Sequence, residues 1–261
     1  VTRHLPLNAG RAAAPPALPV PDHALLNNAS LFLDFDGTMV EIAAHPRAVH
    51  VDDRLRSLLA RLSRKMAGRV AIISGRPIVQ LDEFLGPSSM ALAGSHGVEI
   101  RWPDGAITAP TRPAVLGKVI QEVTRLQKTH SGIVIERKPF GVAIHYRGEP
   151  RAEEPSRHLA TALAASSGLV LQAGKMVFEL RIPGADKGGA LRTLLDGPSM
   201  AGTTPIFIGD DETDETAFVA ATDLGGTGIL VGPQRPTAAL YRLDDVAATL
   251  AWLEAACGDV S

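Results

Sequence analysis

The sequence is short of several features, and each shortage excludes a class of protein. A single cysteine, Cys257, stands in 261 residues, so no disulfide can staple the chain, and no group of Cys and His has the spacing of a zinc site. A cytoplasmic protein without structural zinc is the expectation. The longest stretch without a charged residue, Leu159–Gly174, is diluted by Thr, Ser, Gln and Gly. It is too short and too polar to span a bilayer. Nor is there an excess of one charge: 26 Lys and Arg oppose 28 Asp and Glu, a formal net charge of -2. No broad basic field exists to hold nucleic acid or an anionic membrane, so a small-molecule partner is expected, and the chain is expected to be a monomer. No G-x-G-x-x-G follows the first apolar run, which dismisses dinucleotide binding, and no period of 20 to 50 residues recurs. The first two dozen residues are rich in Pro and Ala but lack the apolar core of a secretory signal. They read as a flexible N-terminal arm, residues 1–24.

What is present is a core-forming composition, 45% hydrophobic and 21% charged, organised as short apolar runs alternating with segments of helical period. Leu31–Phe35, Val70–Ile73, Ala91–Ala93, Ile206–Ile208 and Gly228–Val231 read as buried strands, each beside Gly, Asp or Ser. Between the first two, Leu55, Leu58, Leu59, Leu62 and Met66 mark one face of a helix that Asp52 and Asp53 would cap. This alternation predicts an α/β fold with a doubly wound, mostly parallel sheet. The middle third differs. Helical segments Pro113–Thr129 and Pro155–Ala165 alternate with strand-like Ile133–Glu136, Val142–Tyr146, Leu169–Gln172 and Val177–Arg181, the last two joined at Ala173-Gly174. The economical division is a core of residues 25–109 and 184–261, with a smaller α+β cap domain, 110–183, inserted as a lid.

Open α/β sheets bind ligands beyond the carboxyl ends of their strands, and four of the five strand ends carry reactive or phosphate-binding residues. The first is followed by Asp34-Phe35-Asp36-Gly37-Thr38, the second by Ser74-Gly75-Arg76-Pro77, and the fourth by Gly209-Asp210-Asp211-Glu212-Thr213-Asp214-Glu215. Acidic residues also favour a solvated helix start, and Ser before Pro can be only an N-cap. Beside Asp34 and Asp36, however, Asp210 and Asp214 would repel at about 4 kcal/mol per pair at ~4 Å and an effective dielectric near 20. A cation would let them coexist, and oxygen-only ligands point to Mg²⁺. Lys187, at a helix start, opposes the helix dipole unless an anion lies near; a surface lysine is the plainer alternative. A carboxylate nucleophile, a cation, a hydroxyl and an ammonium together suggest phosphoryl chemistry.

Taken in order, Asp34-Phe35-Asp36-Gly37-Thr38, Ser74, Lys187 and Gly209-Asp210-Asp211 resemble the four motifs of the haloacid dehalogenase superfamily. Longer strings narrow the resemblance: Ile72-Ile73-Ser74-Gly75-Arg76, Gly94-Ser95-His96-Gly97-Val98-Glu99, Glu136-Arg137-Lys138, His145-Tyr146-Arg147, and Gly174-Lys175 with Glu179. From about Leu31 to about Leu253 the chain resembles the trehalose-6-phosphate phosphatases. Met39 stands where that family usually has Leu, a change of little consequence for size or polarity. The resemblance implies a haloacid dehalogenase-like core and Mg²⁺-dependent hydrolysis of trehalose 6-phosphate, the last step of trehalose biosynthesis. It assigns Asp34 as nucleophile, Asp36 as acid and base, and Ser74 and Lys187 to the phosphoryl oxygens. Asp34, Asp36 through its carbonyl, and Asp210 would hold the metal, with Asp214 in support. Gly37, Thr38, Gly75, Arg76, His96, Glu136, Lys138, Arg147, Lys175 and Glu179 would bind substrate. Plainer readings stand beside these: Lys175 with Glu179 as a cross-strand ion pair, and His145 with Arg147 as an exposed strand face. Rival activities are a phosphatase for sucrose or mannosyl-glycerate phosphate, a phosphomutase, and a non-catalytic sugar-phosphate sensor.

Overall fold

A computed structural model of the chain describes residues 17–43, 48–86 and 89–258. Its larger sheet has eight strands in the order β12-β11-β10-β1-β2-β3-β4-β5. The first six in that order run parallel: β12 (Tyr241–Leu243), β11 (Thr227–Val231), β10 (Thr204–Gly209), β1 (Ala29–Leu33), β2 (Val70–Ile73) and β3 (Ala91–Gly94). Antiparallel β4 (Glu99–Arg101) and β5 (Ile107–Thr108) extend one edge. The five runs predicted as strands are all present, each within a residue or two of its expected bounds. Strands β4, β5 and β12 are additions, two or three residues long, and both residues of β5 are exposed. Strands this short leave no apolar run to read, even β4, in which two of three residues are buried.

Alternation along β1 decides which layer each side chain enters. Leu31 and Leu33 join the core formed with Leu55, Leu58, Leu59 and Leu62 of α1 (Asp53–Lys65), α2 (Ile78–Leu85), and Trp252 and Leu253 of α7 (Val246–Cys257). Phe32 points the other way, to Leu191 and Leu194 of α5 (Lys187–Leu195) and Phe218 of α6 (Glu215–Asp223). The sheet is therefore covered on both faces, as burial of a parallel sheet demands. Aspartates begin three of these helices: Asp52 accepts from Leu55 N at 2.9 Å, Asp186 from Gly189 N at 2.8 Å, and Asp245 from Ala248 N at 2.7 Å.

Between β5 and α5 the chain builds a separate antiparallel sheet, β6-β7-β9-β8. Its strands are β6 (Val134–Arg137), β7 (Gly141–His145), β8 (Val170–Gly174) and β9 (Val177–Arg181), with α3 (Leu116–Thr129) and α4 (Glu153–Ser167) packed on one face. Leu116, Val119 and Val123 of α3 and Ala160 of α4 share a core with Val142, Ile144, Phe178 and Leu180. The hairpin turn falls at Lys175-Met176, two residues later than Ala173-Gly174. Gly174 pairs with Val177, and Met176 takes the positive φ of 61°. Of the arm expected over residues 1–24, the first sixteen lie outside the described residues. The remainder is fastened: Arg242 N donates to Pro19 O at 3.0 Å, Trp252 Nε1 donates to Pro21 O at 2.9 Å, and the His23 ring stacks on Trp252. Among the described residues no helix is long and apolar enough to cross a membrane.

Candidate active site

Strands β10, β1 and β2 are neighbours and parallel, so the segments that follow them emerge side by side. Asp34 N donates to Ile208 O at 2.9 Å, carrying the ladder one residue past β1. The chain then folds back on itself, with Gly37 N donating to Val40 O at 2.7 Å and Met39 N to Phe35 O at 3.0 Å. Met39 is fully buried and fits the core in place of leucine. Gly37 has φ 84°, and a Cβ there would lie 2.2 Å from Asp210 Oδ2. Only glycine lets the two acidic loops approach this closely.

Lys187 stands at the first turn of α5 and is 3% exposed. Its Nζ lies 2.7 Å from Asp34 Oδ1 and 2.6 Å from Asp214 Oδ1. The other Asp214 oxygen accepts from the backbone N–H groups of Asp210 at 2.9 Å and Asp211 at 3.0 Å. Carboxylate oxygens of Asp34, Asp210 and Asp214 lie within 4.8 Å of one another. Thr38 Oγ1 reaches both Asp34 Oδ2 and Asp210 Oδ1 at 3.4 Å. Burial, with the neighbouring carboxylates, pushes the Asp34 carboxyl well above its ordinary range despite Lys187, and brings Asp210 up to about 7. Burial also raises Asp214. For Lys187 burial acts downward, but Asp214 and Asp34 outweigh it and hold the ammonium charged. One ammonium leaves the cluster short of positive charge. A hard divalent cation fits these oxygen donors, and Mg²⁺ is such an ion. Both oxygens of Asp214 are held at 3.0 Å or less, whereas Asp34 Oδ2 and Asp210 Oδ1 are met by the Thr38 hydroxyl at 3.4 Å, so Asp34 and Asp210 keep the greater capacity for an ion. Asp36 is not part of the cluster through its side chain.

That side chain goes to Arg76, which grips it with two bonds, Nε to Oδ2 at 2.6 Å and Nη2 to Oδ1 at 2.7 Å. The guanidinium is steadied by the rings of Phe84 and Phe35, 5.0 and 5.8 Å from its carbon. Ser74, after β2, is 1% exposed and accepts from Arg76 N at 3.1 Å. It does not cap α2. Pro77 holds the N-cap position, and the first helical N–H, of Ile78, donates instead to Glu99 Oε1 at 3.2 Å. Beyond β3, Ser95, His96 and Gly97 all have positive φ, 52°, 59° and 97°. Ser95 Oγ donates to Glu99 Oε1 at 2.9 Å and secures this strained turn. It sets the His96 ring against Gly75, where a Cβ would lie 2.7 Å from the imidazole. Burial, then the charges of Lys187 and Lys138, lower His96 well below its usual value, so the ring is neutral.

The small sheet brings its own polar residues to this edge. Lys138 Nζ donates to Glu179 Oε2 at 2.6 Å and to Gly75 O at 3.3 Å, and Glu179 lies 3.9 Å from His96 Nε2. Glu136 accepts from Gln80 Nε2 at 3.3 Å and pairs with His145 Nε2 at 2.9 Å. Burial would raise Glu136, but His145, Lys138 and Gln80 prevail and hold it at about 2. Two predicted residues stand apart: Lys175 is exposed on the hairpin turn, and Arg147 donates to Ala43 O at 3.1 Å. The cross-strand pair of Lys175 with Glu179 does not form. Glu179 takes Lys138 instead.

A sequence profile of the family described as trehalose-phosphatase matches residues 32–247. A protein of Sinorhizobium fredii named "Probable trehalose-phosphate phosphatase" is 38% identical over 213 residues, covering 81% of this chain and 80% of that protein. The trehalose-6-phosphate phosphatase of Escherichia coli is 35% identical over 225 residues, covering 85% and 84%. The chain belongs to the trehalose-phosphatase family. A solved "trehalose-6-phosphate phosphatase related protein" superposes with TM-score 0.74 at 28% identity, covering 87% of this chain and 96% of that one.

As a trehalose-phosphatase the chain is a phosphoric monoester hydrolase, and its geometry supplies what sequence reading passed over. Gln80 is in none of the strings that carry the resemblance and Glu99 stands only at the end of Gly94–Glu99, yet one joins Arg76 to Glu136 and the other completes the start of α2. Gln80 lies four residues after Arg76, a helical spacing that could have flagged it. Nothing local marks Glu99, whose partners are set by the antiparallel return of β4 beside β3.

Proposed function

We propose that this trehalose-phosphatase hydrolyses trehalose 6-phosphate to trehalose and phosphate through an aspartyl phosphate, with Mg²⁺ as cofactor. The observation that carries the reading is the meeting of two sets of groups at one sheet edge. One is the buried Lys187, Asp34 and Asp214 cluster; the other is Glu136, Lys138 and Glu179, joined to the core at Gln80 and Gly75. The first suits a phosphoryl group and the second a sugar rich in hydroxyls. We take residues 110–183 as an inserted cap closing over a core of 25–109 and 184–261. The lack of a broad basic field favours a small substrate over nucleic acid, and we take the chain to act as a cytoplasmic monomer.

In the first step an Asp34 oxygen bonds to phosphorus as the bond to the sugar oxygen breaks, and Asp36 gives that oxygen a proton. In the second, water attacks phosphorus, Asp36 takes its proton, and the bond to Asp34 breaks to free phosphate. Lys187 draws charge from Asp34 and from the phosphoryl oxygens, with the Ser74 hydroxyl and the Gly37-Thr38 loop as further donors. Asp34, the Asp36 carbonyl and Asp210 would hold Mg²⁺, with Asp214 orienting the Asp210 loop. When bound, the ion neutralises phosphoryl charge. Glu136, Lys138 and Glu179 would engage the sugar hydroxyls, with His96, Arg147 and Lys175 at the margins.

Phosphate release from trehalose 6-phosphate, glucose 6-phosphate, sucrose 6-phosphate and mannosyl-glycerate phosphate tests this, with and without Mg²⁺. Fast Mg²⁺-dependent release from the trehalose ester alone, abolished in Asp34→Asn, is expected. Preference for another ester would overturn the assignment of the cap, and binding of trehalose 6-phosphate without turnover would leave a sensor.

A further inference from the structure

Gln80, on the first turn of α2, bonds to both sheets' functional residues at once. Its Oε1 accepts from Arg76 Nη1 at 3.3 Å, and its Nε2 donates to Glu136 Oε1 at 3.3 Å. Arg76 on one side holds Asp36 by two bonds; Glu136 on the other is held by His145. The result is an unbroken path, Asp36–Arg76–Gln80–Glu136–His145, from the loop after β1 to the small sheet.

We propose that Gln80 is a positioning residue, coupling sugar contact at Glu136 to the placement of Asp36. This rests on the reading of Asp36 as acid and base and of Glu136 as a sugar-binding residue. An amide suits the place because it is neutral and presents an acceptor to a cation and a donor to an anion at the same time. The two charged neighbours also dictate its orientation, oxygen toward the guanidinium and nitrogen toward the carboxylate. A carboxylate here would repel Glu136, and an ammonium would repel Arg76. The second oxygen of Glu136 is taken by His145, so a sugar hydroxyl reaching Glu136 Oε1 shares or displaces the Gln80 bond. That change passes to a guanidinium with little freedom of its own, 9% exposed as a residue and set over Phe84. Asp36, the partner of that guanidinium, is thereby informed whether sugar is in place.

The test is Gln80→Leu, which keeps the volume and removes both bonds, with Gln80→Met as a second variant of the same reach. Turnover of trehalose 6-phosphate is compared with that of 4-nitrophenyl phosphate, which carries no sugar and whose leaving group needs no proton. The expected result is a fall in kcat/KM, which reports the first, proton-donating step, of about tenfold for the sugar ester, a part of the roughly 10²–10⁴ that a positioned acid contributes, with the aryl ester changed less than about twofold. Adding Gln80→Leu to Glu136→Leu, which removes the acceptor for Gln80, costs no further activity, because both changes cut one path. An equal fall in kcat/KM on the two esters would mean a merely structural role and would overturn the proposal, as would an unchanged kcat/KM or additive losses. Should the wild-type chain fail to hydrolyse trehalose 6-phosphate, the proposed function itself falls. Should it succeed while the variants match it, only the coupling falls.

Discussion

Replacing Lys187 with Met tests the charge balance of the site most directly. Methionine keeps the length and apolar stem of the side chain, and removes an ammonium that lies 2.7 Å from Asp34 and 2.6 Å from Asp214. All three side chains are almost wholly buried, at 3%, 5% and 0% exposure. Water therefore cannot take over the solvation of the orphaned carboxylates. Breaking a buried pair by removing one partner costs about 3–5 kcal/mol. For a chain of this size that corresponds to a fall in Tm of about 6–20 °C, at roughly 2–4 °C per kcal/mol. Thermal unfolding in chelator, free of divalent ions, measures it. The double variant Lys187→Met/Asp34→Asn separates causes, since taking away one of the repelling carboxylates should recover part of the loss. A Tm within about 3 °C of wild type, or strictly additive losses in the double variant, would refute the reasoning that Lys187 neutralises the cluster.

Two further outcomes follow from single sites. Gly37→Ala should reduce phosphatase activity at least about tenfold while far-ultraviolet circular dichroism stays native, because the added carbon meets the Asp210 carboxylate at 2.2 Å on a backbone of φ 84°; near-normal kcat would count against the close packing of the two loops. Glu136 is held at about 2 in the folded chain against 4.5 when free. A depressed carboxyl contributes stability above its unfolded value and loses it as pH falls through its folded one, here on the order of 3 kcal/mol in full. Denaturant unfolding of wild type and Glu136→Gln should therefore differ most above about pH 4.5 and converge toward pH 2; parallel curves would argue that His145, Lys138 and Gln80 do not stabilise the anion.

The five inner parallel strands were legible because each buries four or five consecutive residues, and the helices because their apolar residues keep one period, as in Leu55, Leu58, Leu59 and Leu62. The short outer strands β4, β5 and β12 were not, since two or three residues leave no pattern to read. Position at strand ends also pointed to Asp34, Ser74 and Asp210 as neighbours, a consequence of one topology rule. The partners of those residues are another matter. That Asp36 faces Arg76 rather than the acidic cluster depends on the turn after β1 and on the rings of Phe35 and Phe84.

By itself the sequence determined the chemical inventory and the strand ends that carry it, because apolar runs, caps and turns are local signals. Tertiary structure alone decided the pairings: Lys187 with Asp34 across 153 positions, Lys138 with Glu179 rather than Lys175, and Gln80 with Glu136 across the two sheets. Such contacts are set by how twisted sheets and helices pack. Ion pairs then form with whichever opposite charge that packing brings within reach, and no spacing along the chain records the choice.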